Sequence, residues 1–178
     1  MERLATMNVI GFCGYSGSGK TTLVEQLIGH LKLHGQRVSV VKHAHHAFDI
    51  DHVGKDSWRH RHAGAFEVVI ASDRRLAKIR EFEVRADPTV HQLIAELDAC
   101  DWVLVEGFKR AALPKIEIWR AATDQPAQYP HDRHIVAICT DSATRLPEPT
   151  DLPVLDLNDA DAVVAFLLEG ADRYAYRP

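Results

Sequence analysis

The chain has 178 residues, with 21 Lys and Arg against 25 Asp and Glu, a formal net charge of −4 that counts its 11 histidines as neutral. Hydrophobic residues make 46% and charged residues 26%, the balance of one globular domain large enough to bury a core. There is no apolar run long enough to cross a membrane, the N-terminus lacks the apolar core of a signal peptide, and a mildly acidic chain is a poor binder of nucleic acid by bulk charge.

Residues 9–13 form a short apolar run ending at glycines and predict a strand. Residues 22–33 place Leu23, Leu27, Ile28 and Leu31 on one helical face, and Gly35 follows where a helix stops. Residues 37–41 are the next strand, which completes a right-handed βαβ unit. Residues 42–56 are polar, rich in histidine and aperiodic, so they predict a long loop. A short helix follows over 57–64, then strands over 67–71 and 76–84, the second alternating apolar and charged residues. Residues 89–97 are helical, and 101–107 hold a buried strand that exits at Glu106. Strands are expected at 116–119 and 135–139, a connection at 146–153 and a closing helix at 160–168. Residues 1–6 and 171–178 are expected to fray. These elements predict a single α/β domain over 1–178, a three-layer phosphate-loop NTPase fold with a mostly parallel sheet and some antiparallel additions. Cys13, Cys100 and Cys139 are odd in number and far apart, which predicts free thiols in a reducing compartment.

The segment Gly14-Tyr15-Ser16-Gly17-Ser18-Gly19-Lys20-Thr21 satisfies G-x-x-x-x-G-K-[ST] at every fixed position. The glycines let successive backbone N–H groups turn toward phosphate oxygens, and the following helix adds the positive end of its dipole. Lys20 is placed to bridge the β- and γ-phosphates, Thr21 to offer its hydroxyl to Mg²⁺, and Thr22 to reach the α-phosphate. Such a loop needs a carboxylate for the metal shell. Glu106 qualifies because ligands sit at the carboxyl ends of parallel strands. Asp101, at the other end of the same strand about 16 Å away, does not. Asp51, in the loop after the second strand, is a further candidate for the Mg²⁺ shell, directly or through water. Solvated loop carboxylate is an equally good reading of Asp49, Asp51 and Asp56. His43, His45, His46 and His52 raise a transition-metal reading, but no Cys pair accompanies them.

The chain resembles the MobB family of molybdopterin-guanine dinucleotide biosynthesis adapters. The resemblance rests on residues 11–22, on 42–51 from Lys42-His43 to Asp51, on Gly54-Lys55-Asp56-Ser57-Trp58-Arg59, on Ala63-Gly64-Ala65 and on Val105-Glu106-Gly107-Phe108-Lys109. It implies a cytoplasmic GTP-binding protein, often a homodimer, with weak GTPase activity. Such a protein assists the guanylyltransferase that joins GMP to molybdopterin, and other cofactor-assembly proteins are possible partners. The family's nucleotide role falls on Gly14, Ser16, Gly17, Ser18, Gly19, Lys20, Thr21 and Thr22, with Lys20 and Glu106 supporting hydrolysis and Thr21, Asp51 and Glu106 at the metal. Guanine preference is implied by the resemblance alone. The sequence has no N/T-K-x-D motif, and Thr140-Asp141 is its nearest substitute. Two other readings use the same loop: a small-molecule kinase, with Arg59, Arg61, Arg74 and Arg75 as its only lid cations, and a metal-inserting GTPase built on the histidines.

Overall fold

A computed structural model describes residues 7–44 and 48–177. His45 and His46 therefore lie outside the described residues, as does the N-terminal segment expected to fray. The main sheet has the order β2-β5-β1-β6-β7-β8, formed by β1 (Asn8–Cys13), β2 (Val38–Lys42), β5 (Trp102–Glu106), β6 (Lys115–Ile118), β7 (Ile135–Thr140) and β8 (Val154–Asp156). Every adjacent pair is parallel. β3 (Glu67–Ala71) and β4 (Leu76–Arg80) pair antiparallel as a separate two-stranded sheet, so the antiparallel additions do not extend the main one.

Strand alternation explains how both faces of the main sheet are covered. Ile10, Phe12, Trp102, Leu104, Ile116 and Ile118 point to one face. There they meet Leu23, Val24, Leu27 and Leu31 of α1 (Lys20–Leu33) and Val163, Val164 and Leu167 of α4 (Ala160–Glu169). Val9, Val103 and Val105 point to the other and meet Val90 and Ile94 of α3 (Val90–Ile94). Each such side chain contributes roughly 1.5–3 kcal/mol on leaving water. The result is helix, sheet, helix: the α/β phosphate-loop architecture.

Several element ends depart from expectation. α1 begins at Lys20 rather than 22, because Gly19 already accepts the first helical hydrogen bond, from the Leu23 N–H at 3.0 Å. It stops as the glycine signal requires: Gly35 takes φ 73°, its N–H bonds Lys32 and that of Gln36 bonds Leu31. β4 ends at Arg80, short of the expected 84. β8 is too short to show a pattern and lies on the sheet edge after the proline-rich connection. The C-terminal residues do not fray as expected. Residues 171–174 form a 3₁₀ turn, Tyr174 is buried among the α1 and α4 core, and the Tyr176 N–H bonds the Met7 carbonyl at 2.8 Å.

The contacts group the chain into two compact units: residues up to His43 with those from Val90 onward, and residues 44–89. The first holds the six-stranded sheet. The second holds α2 (Asp56–His62) and the β3–β4 hairpin, tied by Arg61, which ion-pairs with Asp49, Asp51 and Glu81.

Candidate functional site

The phosphate loop connects β1 to α1 at the carboxyl edge of the main sheet. Its glycines are needed for different reasons. Gly14 takes φ 140°, and a Cβ there would lie 2.3 Å from the Ile118 carbonyl oxygen, so the neighbouring strand leaves no room for a side chain. Gly17 faces open space and a Cβ on Gly19 would only touch Leu157 at 3.7 Å, but they take φ 79° and 98°, conformations glycine adopts without strain. Ser16 and Gly17 are exposed at the tip, whereas Ser18 is buried and its Oγ has no protein partner. A buried hydroxyl without a partner is costly and marks a place built for a polar ligand. No side chain caps the N-terminus of α1 and no acidic residue occupies its first turn, so its N–H groups and dipole end remain suited to an anion.

Lys20 and Thr21 open the helix beside this loop. The Lys20 ammonium donates to the Tyr15 carbonyl at 2.7 Å, which arches it back across the loop. Burial pushes its pKa down from 10.5; Glu106 pulls it up, and Lys42 and Lys109 push it down further. The Thr21 hydroxyl donates to Glu106 Oε1 at 2.6 Å. Thr22 is exposed on the next position of the turn.

Glu106 is the last residue of β5, held between β1 and β2 with Phe12 on one side and Lys42 on the other. It is only 8% exposed. Lys42 lies 3.4 Å from the same Oε1 that accepts from Thr21. Thr21 and Glu106, 85 positions apart in sequence, are thus brought together by the strand order. Asp101, at the far end of β5, accepts the Arg37 N–H at 2.7 Å and fastens the start of β2.

Asp51 belongs to the second unit. Its Oδ1 accepts from the Ser57 hydroxyl and the His52 N–H, and its Oδ2 accepts from Arg61 at 3.0 Å. Burial pushes its carboxyl up, but these hydrogen bonds outweigh it and the net direction is down from 3.8. Asp141 leaves β7 and is engaged by the Ser142 hydroxyl and by Arg120 at 2.7 Å. Arg74 and Arg75 fold their N–H groups onto Ser72 in the hairpin turn, and Arg59 pairs with Asp56 along α2. Among the described residues no cluster of three His, Cys, Asp or Glu is arranged to hold a metal. All three cysteines are free and buried, and burial pushes Cys13 and Cys139 up to about 12.

Lys42 and Lys109 went unremarked as site residues at the sequence level. Their signal was weak but present, since each closely follows a strand that ends at this edge of the sheet. Lys109 Nζ lies 5.5 Å from the centroid of the Tyr15 ring, directly on the phosphate loop.

The oxygen donors of Thr21 and Glu106 are of the hard type that Mg²⁺ takes, and the loop offers N–H groups, a helix N-terminus and an ammonium to phosphates. Known proteins resemble this chain in sequence and fold. The model of the family described as "Molybdopterin guanine dinucleotide synthesis protein B" (MobB) matches residues 9–141. A molybdopterin-guanine dinucleotide biosynthesis adapter protein of Haemophilus influenzae is 40% identical, over 89% of this chain and 86% of that one. The Escherichia coli protein of the same name is 36% identical, over 90% and 91%. Among solved structures, a MobB protein homolog from Bacillus stearothermophilus superposes with a TM-score of 0.69 at 29% identity, covering 94% of this chain and 99% of that one. The chain belongs to the MobB family.

Proposed function

We propose that the protein binds GTP with Mg²⁺ at residues 14–22 and acts as an adapter in the assembly of molybdopterin guanine dinucleotide, working beside the guanylyltransferase that attaches GMP. The observation that carries this reading is the Thr21–Glu106 contact of 2.6 Å at the mouth of a complete phosphate loop. The names of the Haemophilus and Escherichia relatives support the pathway.

In this reading the N–H groups of the loop and of the first turn of α1 cradle the phosphates, and the Ser18 hydroxyl gains the partner it lacks. Lys20 exchanges the Tyr15 carbonyl for β- and γ-phosphate oxygens. Mg²⁺ supplies neutralisation of the phosphate charge, with Thr21 as its ligand and Glu106 orienting the hydroxyl or its hydration shell. Lys20 and Glu106 are the residues that support any hydrolysis. Asp51, whose oxygens already serve Ser57, His52 and Arg61, is assigned to the integrity of the second unit rather than to the metal. We also take the protein to be a cytoplasmic homodimer. Buried free thiols suit a reducing compartment. A two-stranded sheet that exposes Val69, Ile70 and Leu76 is marginal alone and is completed by a second copy.

Calorimetry with GTP and ATP, with and without Mg²⁺, tests the site. Wild type is expected to bind GTP in preference to ATP, and Lys20→Ala to lose binding while keeping its circular dichroism. Unchanged affinity in Lys20→Ala would refute the assignment, and rapid acceptor-dependent phosphoryl transfer would replace the adapter with a kinase.

A further inference from the structure

The Lys109 side chain lies over the phosphate loop, and the reason is in the backbone beneath it. After Glu106 the chain reverses sharply: Gly107 takes φ 94° and Phe108 takes φ 45°, a left-handed conformation uncommon for a residue with a Cβ. The Gly107 N–H bonds the Phe12 carbonyl at 3.3 Å, and the Phe108 ring meets the His43 ring with centroids 4.8 Å apart. The loop is then fastened from below by Lys115, the first residue of β6, which is only 1% exposed. Its ammonium donates to the Lys109 carbonyl at 2.8 Å, the Ala111 carbonyl at 3.0 Å and the Asp132 carboxylate, so all three donors are used. Room for this buried lysine comes from Gly11 on β1, where a Cβ would lie 2.7 Å from Lys115 Cγ. A buried, fully engaged ammonium therefore fixes the backbone from which Lys109 projects.

The Lys109 side chain itself is exposed and, among the described residues, has no carboxylate partner. Its Nζ rests over the Tyr15 ring. The carbonyl of that same Tyr15 accepts the Lys20 ammonium, so both cations contact one residue of the loop. A cation held over the face of a phosphate-loop side chain is well placed for the charged oxygens of a polyphosphate.

We propose that Lys109 is a ligand of the terminal phosphate, a second cation that swings from the Tyr15 ring onto the β/γ end of the nucleotide and makes the protein favour a triphosphate over a diphosphate. This rests on the nucleotide-binding reading above. The aromatic face is a suitable resting place, because a cation–π contact at an exposed site is weak and readily exchanged for charged oxygens. Lys115 is a positioning residue in this arrangement. Lys109 supplies the charge from within the same chain.

Calorimetry of Mg²⁺-GTP and Mg²⁺-GDP on wild type, Lys109→Ala and Lys109→Arg tests the proposal. Lys109→Ala is expected to weaken GTP about tenfold, the scale of one charged hydrogen bond, and to leave GDP within about twofold. Lys109→Arg is expected to restore most of the GTP affinity. An equal loss for both nucleotides, or no loss for either, would overturn the terminal-phosphate role while leaving the nucleotide site intact. Wild type that binds neither nucleotide would overturn the site itself, and this inference with it.

Discussion

The oxygen Oε1 of Glu106 joins two residues from separate parts of the chain to the end of β5. It accepts from Thr21 at the start of α1, it faces Lys42 at the end of β2, and it lies one position beyond the apolar run of β5. Carboxylates so little exposed are held only where charges and donors compensate them, and here a hydroxyl and an ammonium do so. Glu106→Gln keeps the volume and removes the charge. It is expected to leave nucleotide binding in EDTA unchanged while lowering the gain in GTP affinity on adding Mg²⁺ about tenfold, read by calorimetry. A gain equal to wild type would mean that Glu106 serves only the fold. Much of this was legible in the sequence. The phosphate-loop motif puts Thr21 at the start of α1, and Glu106 follows from a carboxylate at the exit of a buried strand. Asp51 was not legible in the same way. Its sequence suits a metal ligand and a solvated loop carboxylate equally, and its bond with Arg61, ten residues on, has no signature in spacing. Lys109 gave only a weak signal because its place on Tyr15 depends on the Lys115 clamp beneath it, and a buried lysine has no periodic signature.

At the level of elements, β1, α1, β2 and β5 were foreseen because apolar runs of four or five residues and a helical stripe leave few other readings. Two features hid from that logic. Three-residue β8 is too short for periodicity, and the C-terminal turn packs through Tyr174, whose ring lies tilted against Trp102 at 5.9 Å. The antiparallel hairpin was seen as strands, yet its separation from the main sheet depends on pairing that sequence alternation does not encode. The unit around this hairpin carries a testable pH dependence. Hydrogen bonds from the Asp51 N–H and Arg61 hold the Asp49 carboxyl below 3.8, and Asp51 is likewise lowered on balance. A lowered folded pKa gives stability that is full above the unfolded value and fades as pH falls through the folded one. Amide chemical shifts of residues 49–81, followed by NMR from pH 5 to pH 2, are therefore expected to show loosening only below about pH 4. Arg61→Ala is expected to remove that dependence by loosening the segment already at pH 5. Shifts that ignore pH in wild type would discount the cluster.

At the scale of the whole molecule, most of the chain is spent on the sheet and the loop it presents. Among the described residues, the second unit, residues 44–89, carries one short helix and one hairpin. The hairpin's exposed Val69, Ile70 and Leu76 are the surface assigned to a second copy. Light scattering is expected to give twice the mass of one chain for wild type and a shift toward monomer for Val69→Glu. A monomeric wild type would remove the dimer. No described helix is long and apolar enough to cross a membrane. The central claim, that residues 14–22 with Glu106 form a Mg²⁺-GTP site, is tested most directly by a crystal structure with a non-hydrolysable GTP analogue and Mg²⁺. The account predicts phosphates within the loop, Lys20 Nζ moved from the Tyr15 carbonyl onto them, and the metal about 2.1 Å from the Thr21 hydroxyl. Nucleotide bound elsewhere, with Lys20 still on Tyr15 and no metal at Thr21, would contradict it.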